Sequence, residues 1–264
     1  MRKILLLGIL FLLYQNRVFC QSENIDVNGQ GWVDYNFRYD LDENRNIDAF
    51  VGFRSIYPDV YDRYVFSTTY NLMHLKPPKF LNLEDPLIHS VKLGTTLLYT
   101  NNYGEPNVFE MRLSQGFQLF TPIYKKLVFK HYLRIEERFQ NQANSSWSLG
   151  FRLRYKVSTI LSWNLDKHAI ISGFYLPMNV EFFFNLNKAD KFNDIIRLSP
   201  GIGFRLNDQW KFEFYGMYNN TQNANNSTSS TNDFIFRLRI YHGVYKIKTR
   251  KKLNEQEQLN ELIE

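Results

Sequence analysis

Cysteine is almost absent. Cys20 is the only one in 264 residues, which excludes a disulfide scaffold and a thiolate metal site. The five histidines, His74, His89, His131, His168 and His242, are scattered. None lies in a metalloprotease or nucleophile motif, and no phosphate loop or dinucleotide glycine motif occurs. Long apolar runs are missing as well. A membrane-spanning helix needs about 20 apolar residues, and the mean hydropathy is −0.39. Only the N-terminus carries an apolar run, Ile4 to Tyr14.

That run follows Arg2 and Lys3 and is too short to span, which reads as a secretory signal. Val18 and Cys20 place the cleavage between Cys20 and Gln21. A lipidated Cys20 is the competing reading, and Phe19 opposes it because a lipobox wants a small residue there. Losing Arg2, Lys3 and Arg17 takes the formal charge from +6 to +3. So mild a bias, on an exported chain, excludes a nucleic-acid partner. Residues 247–264 read as a separate charged periplasmic tail, with Lys248, Arg250, Lys251 and Lys252 ahead of Glu255, Glu257, Glu261 and Glu264.

Aromatics, by contrast, are abundant, with 23 Phe and 17 Tyr. Between Gly31 and Lys246, stretches of about 9–12 residues alternate apolar with polar or small, which is the period of a strand with two unlike faces. Phe109, Met111, Leu113, Phe117 and Leu119 oppose Glu110, Arg112, Ser114, Gly116 and Gln118. The same holds over 127–139, 147–157 and 234–241, and less sharply at 32–41, 46–56, 62–72, 88–99, 170–186, 194–206 and 209–219. A tilted membrane strand needs about 9–11 residues, whereas soluble strands average about 5–6. No helix separates these segments, so the expectation is an all-β, antiparallel up-and-down transmembrane β-barrel over 21–246. Short and long connections mostly alternate, with 73–87 as an exception. An extra strand at 22–27, turned by Asn28-Gly29, brings the count to about 12; ten is the next choice.

Fourteen charges fall on the polar faces: Glu110, Arg112, Lys130, Arg134, Glu136, Arg138, Arg152, Arg154, Glu181, Arg197, Arg205, Glu213, Arg237 and Arg239. Inside a barrel they should form cross-strand ladders, closing the lumen or drawing small anions into it. No cofactor is expected. Catalysis is not expected either: Glu136 and Glu137 point to opposite faces of a strand, and His131 shares parity with the apolar Phe129 and Leu133. The function expected is a narrow or plugged pore, or a scaffold in membrane lipid, at the outer membrane of a Gram-negative cell. The alternatives are a lipid-acting outer-membrane enzyme and a soluble periplasmic barrel binding an apolar ligand.

One pattern recurs along the middle of the chain. Glu110 and Arg112 are followed by His131, Arg134, Glu136, Arg138 and Phe139, spaced H-x-x-R-x-E-x-R-F. Arg152, Arg154 and Tyr155 come next, then Asn179, Glu181 and Phe182. Gly201, Gly203 and Arg205 precede Trp210, and Phe236, Arg237 and Arg239 close the series. Over roughly 31–245 this resembles the domain-of-unknown-function 2490 family, predicted outer-membrane barrel proteins of Gram-negative bacteria. The resemblance implies the barrel architecture and carries no catalytic residues. The charged tail past Tyr245 departs from the usual barrel ending.

Overall fold

The computed structural model describes residues 26–57, 61–73, 88–124, 127–143, 145–162, 173–186, 194–222 and 230–244. The expected signal 1–20 and tail 247–264 lie outside them. Eleven strands and no helix are found among the described residues: β1 (Asp26–Asp40), β2 (Arg45–Tyr57), β3 (Tyr61–Met73), β4 (Ser90–Asn102), β5 (Val108–Tyr124), β6 (Leu127–Gln142), β7 (Ser148–Ser162), β8 (Phe174–Asn185), β9 (Asp194–Arg205), β10 (Trp210–Gln222) and β11 (Ser230–Val244). The shortest have 12 residues and the longest 17, well beyond the soluble norm.

Each strand pairs antiparallel with the next in sequence, and β1 pairs with β11 to close the barrel. An odd number of alternating strands leaves the first and last running the same way, so this one seam is parallel. Both strands therefore begin at one rim, called here the start rim, and finish at the end rim. The expected turn at Asn28-Gly29 does not form. Asn28 and Gly29 continue β1 opposite Asp233 and Phe234, and Asn28 Nδ2 donates to Asp233 Oδ1 at 3.4 Å. The edge of β11 supplies backbone partners that a local hairpin would otherwise have to provide, and this outweighs the turn preference of Asn-Gly.

Two turns follow from side-chain chemistry. Asp42 Oδ1 accepts the Asn44 N–H at 2.9 Å, and Asn207 Oδ1 accepts from the N–H groups of Gln209 and Trp210, each at 2.9 Å. Such Asx turns end a strand and start the next within a few residues. They place the short connections 41–44 and 206–209 at the end rim, with 125–126; the longer 74–89 and 163–173 leave from the same rim.

Alternation sets the two faces. Outward positions carry large apolar groups with more than half of their surface uncovered, such as Phe236 (76%), Phe214 (62%) and Val51 (57%). Inward positions carry the polar and charged groups: Asp34 is fully covered, and Asn46, Asn71, Glu136 and Glu213 are buried. The interior is thus the polar side, the reverse of a soluble globule.

Candidate functional site: the charged interior

Halfway along the barrel, one carboxylate gathers three arginines. Glu136 on β6 meets Arg134 Nη2 at 2.7 Å, Arg154 Nη1 at 2.8 Å and Arg152 Nε at 2.8 Å. Register explains it: Glu136 lies opposite Arg152, and Arg134 opposite Arg154. Arg154 also reaches Glu181 Oε1 on β8 at 2.5 Å, and Arg197 on β9 stands 3.6 Å from the other oxygen of Glu181. On the other side Glu110 on β5 holds Arg112 at 2.7 Å and Arg138 at 2.5 Å. Ion pairs thus run from β5 to β9, with forked guanidinium geometry suited to carboxylates.

Aromatic rings extend this packing. The ring of Trp32 on β1 has Arg54 at 4.1 Å, Arg197 at 5.1 Å and Arg237 at 5.4 Å from its centroid. Phe183 on β8 has Arg154 at 4.4 Å, Arg197 at 4.8 Å and Arg152 at 5.2 Å. Guanidinium groups within about 6 Å of a ring face are attracted to it. Arg197, on β9, therefore ties β8 to β1, four strands away around the barrel. Asp34 ion-pairs with Arg237. Its carboxylate lies across Gly52, the residue opposite it on β2, and a methyl group there would collide with Oδ1. Toward the start rim, Trp32, Tyr215, Met217 and Ile235 form a buried cluster, and Leu98 (2% exposed) and Val65 are likewise buried.

The end-rim half is hollow. A cavity of 300 Å³ is bordered by Arg38, Lys92, Lys130, Lys156, Lys211 and Glu213 among others. Glu213 accepts hydrogen bonds from the hydroxyls of Tyr175 at 2.9 Å, Tyr215 at 2.8 Å and Tyr241 at 2.7 Å. Two glycines make this possible. Tyr175 lies opposite Gly203 and Tyr215 opposite Gly201, and each ring folds flat over its glycine. A Cβ on Gly201 would stand 2.6 Å from Tyr215 Cδ1, and one on Gly203 would overlap the Tyr175 ring. The Gly201-Ile202-Gly203 spacing is thus a pair of ring seats, which keep bulk out of the cavity. Asp48 is held by Arg38 at 2.7 Å and Asn71 at 2.7 Å.

All fourteen charges singled out in the sequence share the inward parity, as the registers show. The structure gathers Glu110, Arg112, Arg134, Glu136, Arg138, Arg152, Arg154, Glu181 and Arg197 into one network, and sets Arg237 beside Asp34. Lys130, Arg205, Glu213 and Arg239 border the cavity instead, with Arg239 4.0 Å from Glu213. Trp32, Asp34, Arg54, Phe183, Tyr175, Tyr215, Lys92 and Lys211 were not foreseen, whereas Lys156 and Tyr241 lie on the polar faces expected over 147–157 and 234–241. Parity could have found the polar ones, because each occupies the polar face of its strand; Trp32 and Phe183 look apolar in that alternation.

On the outer wall, His131 Nδ1 and the Tyr155 hydroxyl are 2.8 Å apart, with their rings stacked. Among the described residues, no three His, Cys, Asp or Glu side chains converge as a metal ion would require. A family model described as a protein of unknown function (DUF2490) matches residues 29–230. No curated protein and no solved structure matches the chain.

Proposed function

The chain belongs to the DUF2490 family of unknown function, and from that premise we propose that it is an integral outer-membrane protein whose barrel is closed across its middle, a membrane-anchored scaffold rather than an open pore. The observation that carries this reading is the packed mid-height interior, where Asp34, Glu136, Arg138 and Arg152 are buried and Arg197 reaches from β9 to the Trp32 ring on β1. Charged groups buried this way obstruct a water path at mid-height. The apolar outer wall supports residence in lipid, because side chains such as Phe236 and Phe214 need an apolar surrounding. A soluble carrier of apolar ligands calls for the opposite sidedness, with the apolar groups inside.

Two measurements test the reading. Membrane fractionation with heat-modifiable gel mobility is expected to recover a folded barrel with the outer membrane, released only by detergent. Release without detergent overturns it. Planar-bilayer recording of the purified protein is expected to show no single-channel steps, and reproducible steps would restore the pore.

A further inference from the structure

We propose that the cavity at the end rim is a binding site for a small, soluble, multiply charged phosphate compound. The inference rests on the closed-barrel reading only for the cavity being blind at its inner end.

The distribution of lysine points to it. The described strands contain four lysines: Lys92 on β4, Lys130 on β6, Lys156 on β7 and Lys211 on β10. All four face inward, and all four line this cavity. They come from four different strands, so no local repeat brings them together. Arg38, Arg205 and Arg239 also border it, against three carboxylates, Asp48, Asp208 and Glu213. The oxygens of two of those carboxylates are already engaged: Asp48 by Arg38 and Asn71, and Glu213 by three phenols. The lining therefore presents a cationic surplus to whatever enters.

The kind of cation matters. Where this interior is filled, arginine meets carboxylate in fixed forked pairs. Around the cavity one such pair remains, Arg38 with Asp48, and four lysines stand beside three arginines. An ammonium is a compact, strongly hydrated charge on a flexible stem, suited to a phosphate that arrives and leaves. Uncharged hydrogen-bonding groups, Gln118, Ser158 and Asn179, sit on the same walls. At 300 Å³ the space is at the small end of ligand pockets, which fits a compact anion. A lipid headgroup is disfavoured, since the cavity lies inside the barrel wall and acyl chains lie outside it.

The test is calorimetric titration of the full chain, folded in detergent at low salt, with inorganic pyrophosphate. Saturable one-to-one binding is expected, and it should weaken about tenfold in the Lys130→Gln, Lys156→Gln double variant. Arg63→Gln lies toward the start rim, where Arg63 Nε donates to Thr100, and should bind as the parent does. Heat-modifiable mobility establishes that each variant is folded; if the double variant is not, Lys211→Gln serves, with a severalfold loss expected. A folded parent that takes up no pyrophosphate overturns the site and leaves the closed barrel standing. An equal loss in Arg63→Gln overturns it as well, by showing that the attraction is general rather than local.

Discussion

Toward the start rim and across the middle, the interior cations are arginines fixed on carboxylates and aromatic rings; toward the end rim, the lysines of four strands surround a cavity. The backbone is the same in both halves, and so is the inward parity. What differs is the partner offered to each cation. Glu136, Glu181, Glu110, Trp32 and Phe183 occupy the filled half, whereas in the hollow half Glu213 is engaged by phenols and Asp48 by Arg38 and Asn71. Filling and emptiness are thus set by side chains alone, and single substitutions should tell the halves apart.

The largest effect is expected from Glu136→Gln. It keeps the shape of the side chain but leaves the buried Arg152 and the half-buried Arg134 and Arg154 without their shared countercharge. Breaking a buried pair by removing one partner costs about 3–5 kcal/mol, so the urea midpoint of the folded barrel should fall steeply. Asp48→Asn, in the hollow half, should move it far less; equal losses would abolish the distinction between the halves.

Trp32→Ala comes next. The ring lies among Arg54, Arg197 and Arg237, and its removal should cost about 3 kcal/mol. It also removes the stop at mid-height, so single-channel steps should appear in a planar bilayer where the parent shows none. Continued silence would place the closure on the ion pairs alone. Gly203→Ala should cost about 1–3 kcal/mol, because the Tyr175 ring must lift off its seat and its hydroxyl must leave Glu213. Lowered thermal stability with unchanged bilayer silence is the expected result. The smallest effect is that of Lys130→Gln, within about 1 kcal/mol on unfolding, although this is the half in which anion binding should suffer most.

Much of this was legible from residue spacing. The alternation of Phe109, Met111 and Leu113 with Glu110 and Arg112 gave the two faces, and Asp42 and Asn207 marked turns by their own hydrogen bonds. Three things were not legible. Asn28-Gly29 has the local signature of a turn, and only the distant β11 overrides it. Trp32 counts as apolar in any tally of alternation, yet it lies inward because the guanidiniums around it come from β2, β9 and β11. The separation of lysine from arginine depends on which residues share a level around the barrel, and that follows from register across all eleven strands.

The parallel seam bears on how such a barrel can come to exist. Ten of its pairings join neighbours in sequence and can form as hairpins. The eleventh joins Asn28 to Asp233, 205 residues apart. Loop-closure entropy grows slowly with length, by about 0.6 kcal/mol per doubling, so distance alone is a modest obstacle. The greater one is solvation. In the lipid setting proposed above, β1 and β11 are free edges until the seam forms, and their backbone groups cannot be left unpaired there. In that setting the last strand must find the first before either is at rest, which makes closure a single late event rather than the sum of hairpins. The seam also leaves the described ends, Asp26 and Val244, on opposite rims, so in a membrane they would face opposite sides whichever way the barrel inserts.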